Sequence, residues 1–217
     1  MPDLTSASPE PGTIVVSGTG RIAVTPDVAD LRLGVAVSRP TVDAARSEAA
    51  TLMTAILAAV DAAAVPRKDV RTSLLSVQPR YDYRDGKPPT LTGYELANVV
   101  EVTVRDLARL GDVVDGTLGA GATSLDGLSF RVADPAPAER EARLLAMAEA
   151  RSRADVLAEA AGLTIEAVTG IVEGGAVPPP GPRMKSERML MAADASTPVE
   201  AGFQEIAVTV TVSYRTR

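Results

Sequence analysis

Histidine and cysteine are both absent from the 217 residues of this chain. Without imidazole, no side chain has an ordinary pKa near neutrality. Without a thiol there is no thiolate nucleophile, no disulfide and no zinc site of the usual N/S type. Tryptophan is missing too, and aromatics make up only 3% of the chain. The core must therefore be aliphatic, and platforms for stacking nucleobases are scarce. Positive charge is in deficit: 22 Lys and Arg stand against 28 Asp and Glu, a formal net charge of −6. A phosphate backbone is bound by clustered cations, so nucleic acid is not the expected partner. No apolar run approaches the roughly 18 residues of a transmembrane helix; the nearest, Ala55 to Val65, is short and carries Asp61. The start, Met1 to Gly12, shows neither the cationic nor the apolar stretch of a secretory signal. Lack of cysteine fits the cytosol and fits equally an oxidising compartment where no disulfide is needed. As it stands the chain reads as soluble and cytoplasmic, with the periplasm or secretion as the alternative.

What is present is an alternation of strand and helix patterns, with hydrophobic residues at 46% of positions. Residues 1–11 are polar and Pro-rich and read as a flexible tail. Thr13–Val16 and Arg21–Val24 read as two short strands around Gly18-Thr-Gly20, whose glycines fit a tight turn or a bulge. From Ala29 to Val37 apolar residues alternate cleanly with polar ones, the mark of a strand with one face on a core. Thr41 is a fitting N-cap, and Val42, Ala45, Ala49, Leu52, Met53, Ile56, Leu57 and Val60 then form one helical stripe ending before Pro66. Two strands follow, one placing Leu75, Val77, Tyr81 and Tyr83 on a face, the other running from Tyr94 to Val104 around an extended hairpin loop.

The spacing predicts a shorter helix from Leu107 to Leu118, with Leu107, Leu110, Val114 and Leu118 inward. Leu128, Phe130 and Val132 mark another strand. Asp134 and Pro135 then open a long helix that ends at Gly162, with Ala142, Leu145, Ala146, Ala154, Leu157 and Ala158 as its apolar face. Ile165–Val172 is a strand, residues 174–202 a long Pro- and Met-containing loop, and Ile206–Tyr214 the most regular strand of the chain. The expected fold is α+β: mostly antiparallel sheets packed against one long helix per sub-half, in the order β-β-β-α-β-β-α-β-α-β-β, with residues 12–217 as one domain.

No constellation specifies a reaction. Gly18-Thr-Gly20 is followed by a strand, whereas a dinucleotide fingerprint needs a helix there. Asp27 and Asp30 cannot face one side of a strand together, and Glu95 and Glu101 are six residues, about 20 Å, apart on theirs. The four tyrosines, 81, 83, 94 and 214, fall in strands and read as core or sheet-face residues. Lys68, Lys87 and Lys185 stand in polar surroundings unsuited to Schiff-base chemistry. Hence no catalytic, cofactor-binding or metal-binding residue is assigned. In loop 174–202, Met184, Met189, Leu190 and Met191 are the candidate oligomer or partner contacts, since flexible thioethers suit adaptable surfaces.

Several stretches resemble one known family. They are Val16-Ser-Gly18-Thr-Gly20, Pro26-Asp27 leading into Ala29-Asp-Leu31, and Val70-Arg-Thr-Ser-Leu-Leu-Ser-Val-Gln-Pro-Arg-Tyr81. Thr92-Gly-Tyr94, Asp106-Leu107, the Gly-Ala-Gly-Ala of 119–122, Ala160-Ala-Gly162 and Pro198-Val-Glu-Ala-Gly202 follow in the same order. Over residues 12–215 the chain is similar to the SIMPL-domain family of bacterial periplasmic immunogenic and stress-related proteins, many of them exported behind a signal peptide. The resemblance implies an α+β domain that in some members assembles into rings or stacked channel-like cages, on the order of eight or more subunits. It supplies no catalytic residue. The expected function is thus a non-enzymatic, self-assembling homo-oligomer. A monomeric partner- or ligand-binding module using loop 174–202 and a carboxylate-dependent enzyme are the alternatives.

Overall fold

A computed structural model of the protein describes residues 12–83, 88–174, 197 and 199–217. The tail 1–11 and the candidate contacts Met184, Met189, Leu190 and Met191 lie outside the described residues. In chain order the elements are β1 (Thr13–Val24), β2 (Val28–Arg39), α1 (Val42–Ala62), β3 (Val70–Asp82), β4 (Thr90–Val104), α2 (Leu110–Gly119), β5 (Ser124–Arg131), α3 (Ala136–Ala161), β6 (Ile165–Glu173) and β7 (Gln204–Thr216). Every strand pairing is antiparallel. The fold is α+β, as expected. Its contacts divide it into two compact units, one built from β1, α3, β6 and β7, the other from β2 to β5 with α1 and α2.

The first unit is a three-stranded sheet, order β1-β7-β6, with α3 on one face. Val208, Val210, Val212 and Tyr214 alternate inward along β7 and meet Ala142, Ala146, Ala150 and Ala154 on α3, a buried row that Ala158 continues. Alanine at every fourth position makes one smooth ridge, which lets a helix lie close to a sheet. The strand beneath matches it. Gly18 and Gly20 point at the helix, where a Cβ would come within 2.1 Å of the Ala146 carbonyl oxygen and 1.9 Å of that of Ala142. Main chain packs on main chain there. These glycines therefore make no turn, and the two short strands expected at 13–16 and 21–24 are one continuous strand, β1. The observed order accordingly begins β-β-α. The larger side chains expected on the buried face of α3, Leu145 and Leu157, are exposed instead, because leucine would not fit the narrow gap.

The ends of α3 follow from the sequence. The Asp134 carboxylate accepts the Ala136 N–H at 3.1 Å, and Gly162 closes the helix in the left-handed conformation at φ 69°. From the helix, Glu149 accepts the Thr19 N–H and Arg153 donates to the Ser17 carbonyl at 2.6 Å. The two side chains pair with one another at 2.6 Å. They occupy backbone groups of the edge strand β1 that a further strand would otherwise use.

The second unit is a four-stranded sheet, order β3-β4-β2-β5. One face carries α1, and the ten-residue α2, the shorter helix expected within 107–118, packs against α1. The Thr41 hydroxyl caps α1 by accepting the Ala44 N–H at 3.3 Å. Ala45, Ala49, Met53, Ile56 and Val60 descend from it onto Leu31, Leu33 and Val35 of β2 and Val100 and Val102 of β4. The segment 107–118 is less regular than its spacing predicts. Leu107–Arg109 is a 3-10 turn, and α2 buries Leu110, Val113, Val114 and Thr117, while Leu118 is 45% exposed. Thr117 tolerates burial because its hydroxyl donates to the Val113 and Val114 carbonyls at 2.8 and 3.0 Å. Among the described residues no helix is long and apolar enough to cross a membrane.

Candidate functional site

The strand order places β3 outermost in its sheet, and α1 lies over β2 and β4. Nothing in the local pattern of β3 announces this, since its alternation reads like that of a covered strand. Its residues are nevertheless exposed or at most half-buried along the whole length, Leu75 at 67% and Leu74 and Val77 at over 40%. Leu75 and Val77 stand opposite Asn98 and Leu96, so they are on the helix side of the sheet but beyond the helix.

The strands β3 and β4 also outrun their neighbour. The last residue of β2 in register is Arg39, opposite Tyr94, after which Pro40 turns the chain into α1. β3 and β4 continue as a two-stranded arm through the pairs Arg80–Gly93, Tyr81–Leu91 and Asp82–Thr90. The base of the arm is held by the Arg80 guanidinium donating to the Ser38 hydroxyl at 3.1 Å and by the Thr92 hydroxyl donating to the Arg80 carbonyl at 3.0 Å. Beyond it the rings of Tyr81 and Tyr83 lie 6.3 Å apart, tilted by 56°, beside Leu91. Tyr83 is 76% exposed. Of the tyrosines read as core or sheet-face residues, Tyr214 is buried in the first unit, whereas Tyr81 and Tyr83 face solvent.

At the other end of β3 a cavity of about 210 Å³ opens between α1 and the sheet. Met53 and Val60 of α1 and Val100 of β4 form its buried apolar base, with Leu57 and Val70 half-buried above them. Its exposed rim is polar, comprising Asp61, Arg67, Arg71 and Thr72. Arg67 donates to Asp61 at 2.8 Å across part of that rim.

The face of this sheet away from the helices is a charged lattice around a cavity of about 530 Å³. Arg71, Glu101 and Arg32 stand in one cross-strand row, with Arg71 Nε 2.8 Å and Arg32 Nε 3.7 Å from Glu101 oxygens. In the next row Asp30 accepts from Arg131 Nε at 2.6 Å and from the Thr103 hydroxyl at 2.7 Å. Partial burial pushes the Asp30 carboxyl pKa up, but the hydrogen bonds from Arg131 and Thr103 and the charges of Arg131 and Arg105 outweigh it and hold the group below its ordinary value. A general acid at neutral pH needs the opposite shift. The lattice therefore ties β2, β4 and β5 together and offers no proton donor through Asp30.

The sequence candidates are dispersed. Asp27 accepts the Ala133 N–H at 2.7 Å, while its neighbour Asp30 serves the lattice. Glu95 lies 3.8 Å from Arg80 and Glu101 pairs with Arg71, so the two glutamates have separate partners. Among the described residues no three Asp or Glu side chains gather to hold a metal ion.

Because the folded pKa of Asp30 is depressed, its contribution to stability is present above the ordinary carboxylate value and is lost as pH falls through the folded value. Urea midpoints followed from pH about 6 down to about 2 should fall more steeply for the wild type than for Asp30→Asn, which cannot titrate. Parallel curves would contradict the assignment.

Comparison with known proteins identifies the family. The model of the SIMPL family, described as a protein of unknown function (DUF541), matches residues 14–214. The 26 kDa periplasmic immunogenic protein of Brucella melitensis is 34% identical over 212 residues, 94% of this chain and 85% of the relative. The protein of the same name from Brucella abortus matches to the same extent. The uncharacterized protein YggE of Escherichia coli is 34% identical over 150 residues, 69% of this chain and 61% of its own length. These relatives overturn the expectation of a cytoplasmic location, since the two that span nearly the whole chain are named as periplasmic proteins. A cysteine-free composition fits either compartment, so it had no power to separate them. With the family match extending from β1 to the end of β7, the chain belongs to the SIMPL family.

Proposed function

We propose that this chain is a non-enzymatic protein of the periplasm that works as a self-assembled homo-oligomer, with the β3–β4 arm and the exposed β3 strand as the contact surface. The observation that carries this reading is the concentration of large apolar side chains there: Leu74, Leu75, Val77, Tyr81, Tyr83 and Leu91 are each more than 40% exposed along one edge of a single sheet. Scattered apolar residues are normal on a surface, but several large ones gathered on both faces of one exposed edge strand and its hairpin favour a protein–protein contact. Tyrosine is also enriched at such contacts, because one side chain supplies a large apolar body and a polar tip. A ring or channel-like arrangement is the form the family resemblance implies. The periplasmic location draws on the names of the Brucella relatives.

Light scattering coupled to size exclusion tests the reading directly. The wild type is expected to elute at a multiple of its 22.4 kDa monomer mass, and to keep that mass on dilution. A monomer at all concentrations would refute it.

A further inference from the structure

The charged face of the four-stranded sheet leaves one of its cations without a hydrogen-bonded partner. The cavity of about 530 Å³ on that face is lined by three guanidiniums, Arg32, Arg71 and Arg131, against two carboxylates, Asp30 and Glu101. The local surplus is positive, although the whole chain carries a net charge of −6. Two of the guanidiniums are committed. Arg131 donates to Asp30 through Nε at 2.6 Å and Nη2 at 3.4 Å, and Arg71 donates to Glu101 Oε2 through both Nε and Nη2. Arg32 approaches only Glu101 Oε1, at 3.7 Å, which is too long for a hydrogen bond. Among the described residues its planar fork of N–H donors is therefore unused, and Oε1 accepts nothing. On the β5 side Arg32 is paired with Gly127, and a Cβ there would meet nothing within 4 Å. Space is open beside the fork. Asp126, skipped in the pairing at this bulge, neither lines the cavity nor pairs with a guanidinium. Thr103 and Ser129 add hydroxyls to the wall, and Leu128 is the one apolar side chain lining it.

We propose that this cavity binds a small hydroxylated phosphate ester, a sugar or polyol phosphate, with phosphoryl oxygens on the Arg32 fork and a hydroxyl on Glu101 Oε1. A guanidinium fork is matched by two oxygens of one oxyanion. The wall selects the rest of the ligand. A sugar hydroxyl donates to Oε1 and accepts from Ser129, whereas an apolar body would leave these groups desolvated and unpaired. The volume suits such a molecule, since small-ligand cavities run from roughly 300 to 1,000 Å³. The Arg32 side chain is 53% exposed, so a ligand reaches it without rearrangement of the sheet. All of these residues belong to one copy, and the site does not depend on self-assembly.

Isothermal titration calorimetry of the full chain with glucose 6-phosphate tests the site, at an ionic strength of about 20 mM to limit screening. One molecule per chain should bind, more tightly than inorganic phosphate, and glucose should not bind. Arg32→Gln should weaken binding about 10-fold or more, the effect of losing charge-assisted hydrogen bonds. Arg32→Lys should fall between, because it keeps the charge without the fork. Gly127→Val puts a side chain into the open space beside the fork and should weaken binding by a similar factor; valine is at home in a strand. Arg46→Gln removes the same charge from an exposed position on α1 and should bind like wild type. Circular dichroism melting checks that each variant folds. No binding by the wild type at millimolar ester overturns the proposal. So does unchanged binding by folded Arg32→Gln and Gly127→Val, or equal weakening by Arg46→Gln, which would report overall charge alone. Inorganic phosphate bound as tightly as the ester overturns the hydroxylated body. Vesicles of phosphatidylglycerol and phosphatidylcholine form a second arm. Sedimentation with them, without binding of the free ester, places the polyol-phosphate chemistry on a lipid and overturns the soluble ligand.

Discussion

Gly20→Val should destabilise the folded chain by about 3 kcal/mol or more, although valine is among the best strand formers. The reason is distance. Even a methyl group at position 20 would lie 1.9 Å from the Ala142 carbonyl oxygen and 2.7 Å from the Ala146 nitrogen, both main-chain atoms of α3. A side chain can rotate away from an intruder, but a helix backbone has to move as a body and takes its alanine ridge with it. For a protein of this size the expected fall in melting temperature is about 6–12 °C. Ala142→Gly should not rescue Gly20→Val, since the atom struck belongs to the backbone. Val15→Thr, on the half-exposed opposite face of the same strand, should stay within about 0.5 kcal/mol of wild type. A neutral or stabilising Gly20→Val would mean that α3 does not press on β1 as described.

Leu31→Ala should cost about 2–5 kcal/mol, measured by urea unfolding. Leu31 is fully buried on β2, the strand flanked by β4 and β5, and lies in the cluster that receives α1. Truncation removes transferable apolar surface and leaves a cavity that the neighbouring strands, tied by the charged lattice, are poorly placed to close. Leu118→Ala gives the contrast. The same chemical change at an exposed helix position should cost less than about 0.5 kcal/mol, although the leucine spacing in 107–118 reads as inward at that residue. If both truncations cost the same, the burial assigned to one of them is wrong.

Those two leucines show where sequence reasoning holds and where it fails. On β2, strict alternation over many residues fixes the buried face, because period two leaves no ambiguity about which side chains share it. On the short α2 preceded by a 3-10 turn, three and four residue spacings compete, and one turn of 3-10 geometry rotates every later side chain. Thr117 then takes the inward place and Leu118 the outward one. The α3 face fails differently. Leucine outranks alanine in apolarity, so pattern alone places Leu145 and Leu157 inside, yet a gap narrow enough for Gly18 and Gly20 admits only alanine. The signal was present in two distant places, glycines at 18 and 20 and alanines every four residues from 142. It becomes readable only when the two are known to touch.

The candidate surface was legible only in pieces. Leu75, Val77, Tyr81 and Tyr83 are readable as members of a strand, and the hairpin between 81 and 94 is readable from its turn residues. Their exposure is not, because an edge strand with uncovered apolar residues and a covered strand carry the same alternation. The groove beneath α1 is likewise assembled from Met53, Leu57, Val70 and Val100, each of which reads singly as core.

By itself the sequence determined what is chemically local. It excluded imidazole and thiol chemistry, set the start of α1 at Thr41 and the end of α3 at Gly162, and established the inward row of β7. These depend on one residue's own side chain or on neighbours within a turn of helix or a step of strand. The tertiary structure alone decided that β3 lies at an edge, that its hairpin outruns β2, and that α3 presses main chain against β1. Each of these is a relation between segments tens to more than a hundred residues apart. Strand order and interlayer spacing are fixed by which faces can be buried together, and no short-range pattern carries that information.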